Sequence, residues 1–468
     1  MHTKAKAPFG WRDKIGYLLG DFGNDFTFLL SSGFLLKFYT DVMHVSAGIV
    51  GIVMMLARFV DAFTDVTMGR IADHSRVRES GKFKPWILRM CGPVALASFL
   101  IYQSAFANYA LWFKVLWLVI TYILWGSVFY TAINIPYGAV ASAISPEPSD
   151  RQSLSTFRSM GSVLAGVVVG AGIPLLAYDT VTVGGVEIAE LNGQRFTVIA
   201  GVFSILAVLA YLGCYFLITE RAVPEHRPKD SSPGALKLIS NSLKNRALIS
   251  IIVASVIMLF SQFTLQQFAN YIYPDYYSSP EAQSASTLAM MAGMIISAAG
   301  AKPLAKKFGK AEISAASCVL ASAVLWLLFF VRPGNVWIYV AFSLFAWLGL
   351  GVFTMVSWAL ITDVIDDAEV RNGIREDGSI YSLYSFSRKL GQAASAGTTG
   401  LLLTVIGYEK TGGAPVSDSV KAGLFNVSTV VPAVGFALLA AVLWFYYPLH
   451  KDRVDANVRL LKSKREIS

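Results

Sequence analysis

Twelve apolar stretches, each near the ~20 residues a helix needs to cross a bilayer, alternate along the chain with short polar segments. They fall near 15–38, 47–71, 85–108, 111–144, 157–178, 196–217, 248–273, 286–302, 311–331, 336–362, 380–406 and 426–447. The pattern predicts an all-α polytopic membrane protein with twelve transmembrane helices. The first stretch already carries Asp21, Asp25 and Lys37 and leads straight into the second, unlike a cleaved signal. The fourth is long enough to run past the bilayer, and Pro136 within it predicts a kink. The eighth reads as short, and its Ala, Gly, Ser and Met content suits close helix packing. The longest polar segment, 219–246, is a central cytoplasmic loop between an N-terminal six-helix half, 1–218, and a C-terminal half, 247–468, that ends in a cytoplasmic tail.

Composition agrees with that pattern: 55% of the 468 residues are hydrophobic and 15% charged, where soluble domains sit near ~25% charged. Basic residues set the orientation. The segments before spans one, three, five, seven, nine and eleven and the C-terminal tail are Lys/Arg-rich, whereas the opposite side has only Lys114, Arg195, Arg332, Lys410 and Lys421. Both termini are therefore expected in the cytoplasm, and the net charge of +9 reflects this asymmetry rather than a nucleic-acid partner. A weak repeat supports the six-plus-six division. "GRIADHSRVRESGK" begins at Gly69 and "GAKPLAKKFGK" at Gly300, 231 residues later; both open with Gly, are basic and close on Gly-Lys. That register fits the two halves of a major facilitator fold.

Cys91, Cys214 and Cys318 lie in predicted spans and read as small packing residues. No CxxC, HExxH or phosphate-binding loop is present, and the five histidines are scattered through loops and tails, so neither an enzyme nor a cofactor is expected. The chemistry lies instead in charges inside the spans, each of which costs several kcal/mol unless it is compensated. Arg58, Asp61 and Asp65 are spaced three and four apart and share one face of the second span. Two carboxylates so close in low dielectric call for a proton or a metal cation between them, or for Arg58 to neutralise one. A structural ion pair would explain one aspartate but not both. Asp25, Asn134, Arg158 and Lys389 add an inward polar set that favours a hydrophilic substrate.

Several blocks together carry a family resemblance: "LARFVDAFTDVTMGRIAD", "GKFKPW", "TYILWG", "NIPYG" and "IREDGSIYSLYSFSRKLGQA". The chain resembles the glycoside–pentoside–hexuronide:cation symporters of the major facilitator superfamily, which include the melibiose permease and, with a closer likeness, the bacterial glucuronide transporter. The resemblance implies that Asp61 and Asp65 bind the coupling cation with Thr131 and Asn134 beside them. It also implies that Asp25, Arg158, Lys389 and Asn134 meet substrate, and that Arg58 precedes the cation pair as a coupling residue. Asn134 stands where the melibiose permease has an aspartate shared by sugar and cation, and Thr64 where it has an asparagine. Sodium prefers several oxygen ligands near formal charge, whereas a proton needs one carboxylate. We therefore expect proton coupling over sodium, with no metal beyond a sodium at Asp61 and Asp65 in the alternative case.

The substrate expected from these residues is a glycoside, oligosaccharide or glucuronide. Carboxylates and amides take its hydroxyls, and aromatic faces cover the ring. Tyr130, Tyr137, Tyr381, Tyr384, Gln262, Gln266 and Asn270 join the candidate set, although packing and interhelical hydrogen bonding explain such residues equally well. A sulfonated or amphipathic cargo on the same fold is the competing class. Gly69, Asp73 and Arg76 resemble the superfamily's loop signature that braces the inward gate. Asp363, Asp366, Asp367, Arg371 and Arg375 are candidate gate pairs. Transport by alternating access, a monomeric state and the bacterial cytoplasmic membrane complete the expectation.

Overall fold

The computed structural model describes residues 7–221, 245–372, 377–410 and 415–467. The chain forms α1 (Trp11–Asp41), α2 (Ala47–Asp73), α3 (Lys84–Ile101), α4 (Leu111–Ile144), α5 (Pro148–Ala177), a hairpin of β1 (Tyr178–Val183) and β2 (Val186–Leu191), and α6 (Gly193–Leu217). There follow α7 (Arg246–Tyr276), α8 (Pro280–Phe308), α9 (Lys310–Val331), α10 (Val336–Asn372), α11 (Asp377–Val405), α12 (Asp418–Tyr446) and a tail helix, α13 (Lys451–Ile467). Among the described residues, α2 to α10 and α12 are long and apolar enough to cross a membrane by composition alone. The charge-bearing α1 and α11 complete the expected twelve.

Polar residues mark the helix ends. Asn192, Asn245, Ser279 and Ser417 accept hydrogen bonds from the first-turn amides of α6, α7, α8 and α12, and Pro148 and Pro280 occupy first-turn positions whose N–H has no helical partner. α8 is longer than expected, 29 residues, because its outer turns "PEAQSAS" and "KPLAKKF" are polar and escape a hydropathy reading. A π-helical stretch interrupts α4 at Leu124–Tyr130, and the α-helical segment after it, Thr131–Ile144, continues through Pro136. The antiparallel hairpin was not expected. It pairs Tyr178 with Leu191 through Val183 with Val186, and "VTVGGVEI" is a hairpin signal of β-branched runs around Gly-Gly that a search for apolar stretches overlooks.

The chain divides into two compact units, residues 1–228 with 400–416 and residues 229–399 with 417–468. In the first, α1 packs along α5 and α6 around Phe26, Phe34, Phe38, Tyr102, Phe196 and Phe203. Glu220, just past α6, accepts from the backbone amides of Lys82, Phe83 and Lys84 at 2.7, 2.9 and 2.7 Å and so caps α3 from outside. In the second, Ile251, Met258, Phe353, Leu360, Phe436 and Leu439 belong to one core across α7, α10 and α12. The two Gly-Lys pairs of the weak repeat share a backbone state: Gly81 has φ 118° and Gly309 φ 103°, and a Cβ at either would run into a carboxylate, Glu220 or Glu312. Cys91, Cys214 and Cys318 are free and buried.

The contact of α1 with α5 depends on Gly161, where a Cβ would collide with the Leu18 carbonyl oxygen, whereas a Cβ at Gly172 would meet nothing. Gly161→Ala is expected to cost about 1–3 kcal/mol through overpacking and to lower the thermal unfolding midpoint of purified protein, with Gly172→Ala unchanged or slightly higher. Equal midpoints for the two variants would refute this packing.

Candidate functional site

The charged face of α2 meets α4. Asp61 Oδ2 accepts from Arg58 at 3.2 Å and its Oδ1 from the Ser127 hydroxyl at 2.6 Å, while Asp65 Oδ1 accepts from the Thr131 hydroxyl at 2.9 Å. The donors, like the carboxylates, are four residues apart on their helix, which aligns two pairs of facing groups. Ser127 belongs to the π-helical stretch, and Thr131, which also reaches the Gly126 carbonyl at 3.2 Å, opens the α-helix after it. Arg58 compensates Asp61, which is buried, and a neutral hydroxyl meets the half-buried Asp65. Thr64 turns its hydroxyl back to the Asp61 carbonyl at 3.2 Å. Asn134, expected beside these groups, is half-buried one turn beyond Thr131 and makes no hydrogen bond among the described residues.

A second polar cluster joins α1 to α5. Asp21 and Asp25 are four apart on α1, and Arg158 and Ser162 four apart on α5. Arg158 Nε donates to Asp21 Oδ1 at 2.9 Å, and Ser162 donates to Asp25. The direct partner of Arg158 is thus Asp21, one turn from Asp25. The Arg158 guanidinium also lies over the Tyr137 ring, 5.4 Å from its centroid. Tyr137 in turn stacks on Tyr17 at 4.7 Å and donates to the Tyr17 carbonyl at 2.6 Å. Tyr137 has no exposed surface and forms a floor beneath Arg158. Close by, Asn24 donates to Tyr130 at 2.8 Å and accepts from Tyr211 at 3.2 Å.

The two clusters are linked by contacts within the first unit. Arg58 lies over the Phe28 ring at 5.5 Å, Phe28 stacks on Tyr130 at 5.8 Å, and Tyr130 holds Asn24, the neighbour of Asp25.

The remaining candidates lie elsewhere. Lys389 is half-buried on α11, Gln266 Nε2 contacts Met290 Sδ at 3.7 Å, and Asn270 accepts from Gln283 at 2.6 Å, all in the second unit. Tyr381 stacks on Trp358 and Tyr384 is fully buried. Of the gate candidates, Asp73 and Arg76 are exposed and form no ion pair among the described residues, and Gly69 is unobstructed. Asp363 pairs with Lys310 at 2.6 Å, whereas Arg371 pairs with Asp367 at 2.7 Å, so Asp363 and Arg371 belong to separate pairs. Arg375 lies outside the described residues, as does most of the central loop.

Sequence reasoning missed Asp21, Ser127, Asn24 and Ser162 as site residues. Asp21 and Asp25 at helical spacing were a usable signal; serine in an apolar helix was none. A third network also went unnoticed: Lys37 pairs with Asp41 at 2.7 Å, and Tyr408 bonds both, donating to Asp41 at 2.9 Å and accepting from Lys37 at 2.9 Å. Lys410 approaches the same carboxylate at 3.5 Å.

The Asp21–Arg158 pair is asymmetric, its side chains 6% and 40% exposed. Arg158→Ala strands a buried carboxylate, a loss worth about 3–5 kcal/mol when a buried pair is broken, while Asp21→Ala leaves a cation that water can reach. Thermal unfolding of the purified variants should therefore show the larger drop for Arg158→Ala and partial recovery in the double variant. Equal drops with no recovery would contradict the pairing.

Comparison with known proteins adds the family. Residues 16–451 match the family described as MFS/sugar transport protein. The chain is 29% identical over 461 residues to the glucuronide carrier protein homolog of Escherichia coli K12, covering 98% of this chain and 96% of that one. It is 30% identical to the isoprimeverose transporter of Lactiplantibacillus pentosus, covering 93% and 88%. It is also 30% identical to a Salmonella typhimurium protein named, provisionally, as a sulfoquinovose importer, covering 97% and 93%. In fold it is similar to a bacterial Spinster homolog, with TM-score 0.67, 12% identity and coverage of 97% and 99%, and to a D-xylose-proton symporter, with TM-score 0.62, 13% identity and coverage of 93% and 97%. The chain is a membrane transporter, not an enzyme, and belongs to the MFS sugar-transport family, within its glycoside–pentoside–hexuronide group.

Proposed function

We propose that the protein is a proton-coupled symporter that brings a glycoside or glucuronide into the cytoplasm by alternating access. The observation that carries the reading is the pair Asp61 and Asp65, held by Ser127 and Thr131 and joined through Arg58, Phe28 and Tyr130 to the Asp25 and Arg158 cluster. Asp61, held by Arg58 and Ser127, and Asp65, held by Thr131, are the carboxylates at which the coupling cation is taken up during the cycle. A proton needs one such oxygen set. Sodium would need further ligands, and the amide at Asn134 supplies no formal charge. Asp25 accepts sugar hydroxyls, and Arg158, stacked on Tyr137, keeps its terminal nitrogens for substrate oxygens.

Binding of the cation lowers the cost of drawing α1 and α2 together around sugar, and by reciprocity sugar tightens the cation. Lys389, Asn134 and Gln266 complete the substrate set in this proposal, and Lys310–Asp363 and Arg371–Asp367 act as ion pairs that exchange partners when the six-helix halves rock. The basic asymmetry of the loops supports cytoplasmic termini in a bacterial inner membrane. On the other side, Lys410 approaches Asp41 and Arg195 pairs with Asp179, while Lys114 donates to the neutral Met43 and Ala107 carbonyls. We propose a monomer. A second reading, import of a sulfonated sugar, is favoured by Arg158, whose planar fork suits a sulfonate as well as a carboxylate.

The test adds a panel of glycosides, glucuronides and sulfonated sugars to non-energised right-side-out vesicles while external pH and sodium are recorded. One compound should produce alkalinisation, abolished by Asp65→Asn and strongly reduced by Asp61→Asn. Sodium uptake without alkalinisation would overturn proton coupling, and silence across the panel would overturn sugar as the cargo. Thr131→Ala and Ser127→Ala should weaken apparent substrate affinity by roughly ten- to hundredfold, the scale of one lost hydrogen bond to a charged group, read as half-saturation in the same assay.

A further inference from the structure

At the lysine-rich end of the second unit, α8, α9, α10 and α13 enclose a cavity of about 640 Å³. Its wall has two parts. One is apolar, with Ala298 on α8 and Met355 and Ala359 on α10. The other carries Lys302, Lys306, Lys310 and Lys451 against Asp363 and Asp455, a surplus of two positive charges. Two of the lysines already serve the protein: Lys310 pairs with Asp363 at 2.6 Å, and Lys451 Nζ donates to the Lys307 carbonyl at 2.7 Å. Lys302 and Lys306 are exposed, four residues apart on one helix face, and make no hydrogen bond or ion pair among the described residues.

That face continues toward the middle of α8. Ile295, 64% exposed, then Ala298, Lys302 and Lys306 follow at helical spacing, so an apolar track leads into a basic end. We propose that this cavity binds one anionic phospholipid, its phosphate between Lys302 and Lys306 and an acyl chain along Ile295, Ala298 and Met355. A membrane-spanning helix presents such a track to the bilayer, and basic pockets between helix ends are suited to acidic headgroups. The volume lies in the ~300–1,000 Å³ range of small-molecule sites. A free inorganic anion would use the lysines and leave the apolar wall without a role. A sugar would find its hydroxyl partners only at the charged end and would leave the alanine, methionine and valine wall without a role.

The test is native mass spectrometry of the purified full chain in neutral detergent with phosphatidylglycerol and phosphatidylcholine at equal concentration. One phosphatidylglycerol per chain should be retained about tenfold over phosphatidylcholine, the scale expected for two lysines at an anionic headgroup. Lys302→Gln/Lys306→Gln should lose the preference, Lys302→Arg/Lys306→Arg should keep it, and Lys421→Gln, far from the cavity in sequence, should be unchanged. The proposal is overturned if the unaltered protein shows no preference, if the glutamine pair retains it, or if inorganic phosphate at the same concentration displaces the lipid. None of these readouts depends on which substrate is carried.

Discussion

A charge inside the hydrocarbon layer must be met by another charge or by hydrogen-bond donors within reach, and this constraint organises the first unit. Asp21 has Arg158, Asp61 has Arg58 and Ser127, Asp41 has Lys37 and Tyr408, and Asp25 has Ser162. Where the partner is a fixed cation, the carboxylate is compensated and its role is to hold helices in register. Asp65 accepts from Thr131 and Asp25 from Ser162, so hydroxyls as well as cations hold the carboxylates of this unit. Asp65 and Asp25 lie in the two clusters that the transport cycle is proposed to load.

Between those clusters runs a contact path of aromatic rings rather than a chain of charges. Arg58 over Phe28, Phe28 on Tyr130 and Tyr130 on Asn24 make α1, α2 and α4 share one packed junction. Packed interiors switch between discrete arrangements more readily than they stretch. A shift of α2 against α4 therefore has a contact route to Asn24, beside Asp25 on α1. The π-helical stretch at Leu124–Tyr130 lies within this junction, where one irregular turn sets the aim of Ser127 and Tyr130 together.

The twelve-helix architecture was legible because the bilayer imposes a length on every apolar run; α9 and α10 began within a residue of expectation, although α10 runs ten residues past its expected end through the polar turns "DVIDDAEVRN". α8 escaped because its polar ends hide two turns, and the hairpin escaped because it is short and outside the spans. Within the site, Arg58, Asp61 and Asp65 were readable from spacing, since one helix carries all three. The partner of Arg158 was not, because it depends on how α1 and α5 rotate against each other, and nothing local distinguishes Asp21 from Asp25 in that respect. Tyr137 looked like a ring-stacking residue by type and proves to stack on an arginine instead. Ser127 left no trace, since a serine among apolar residues is ordinary helix content until the facing helix is known.

The most direct measurement is accumulation of a glucuronide by purified protein in liposomes under an imposed inward proton gradient, for the unaltered chain and for Asp65→Asn. Coupling through Asp65 requires that the unaltered protein concentrate the sugar above the external level, and that the variant bring it only to equality while still exchanging it across the membrane. Concentration by Asp65→Asn to the level of the unaltered protein would contradict the assignment of the coupling ion to this carboxylate.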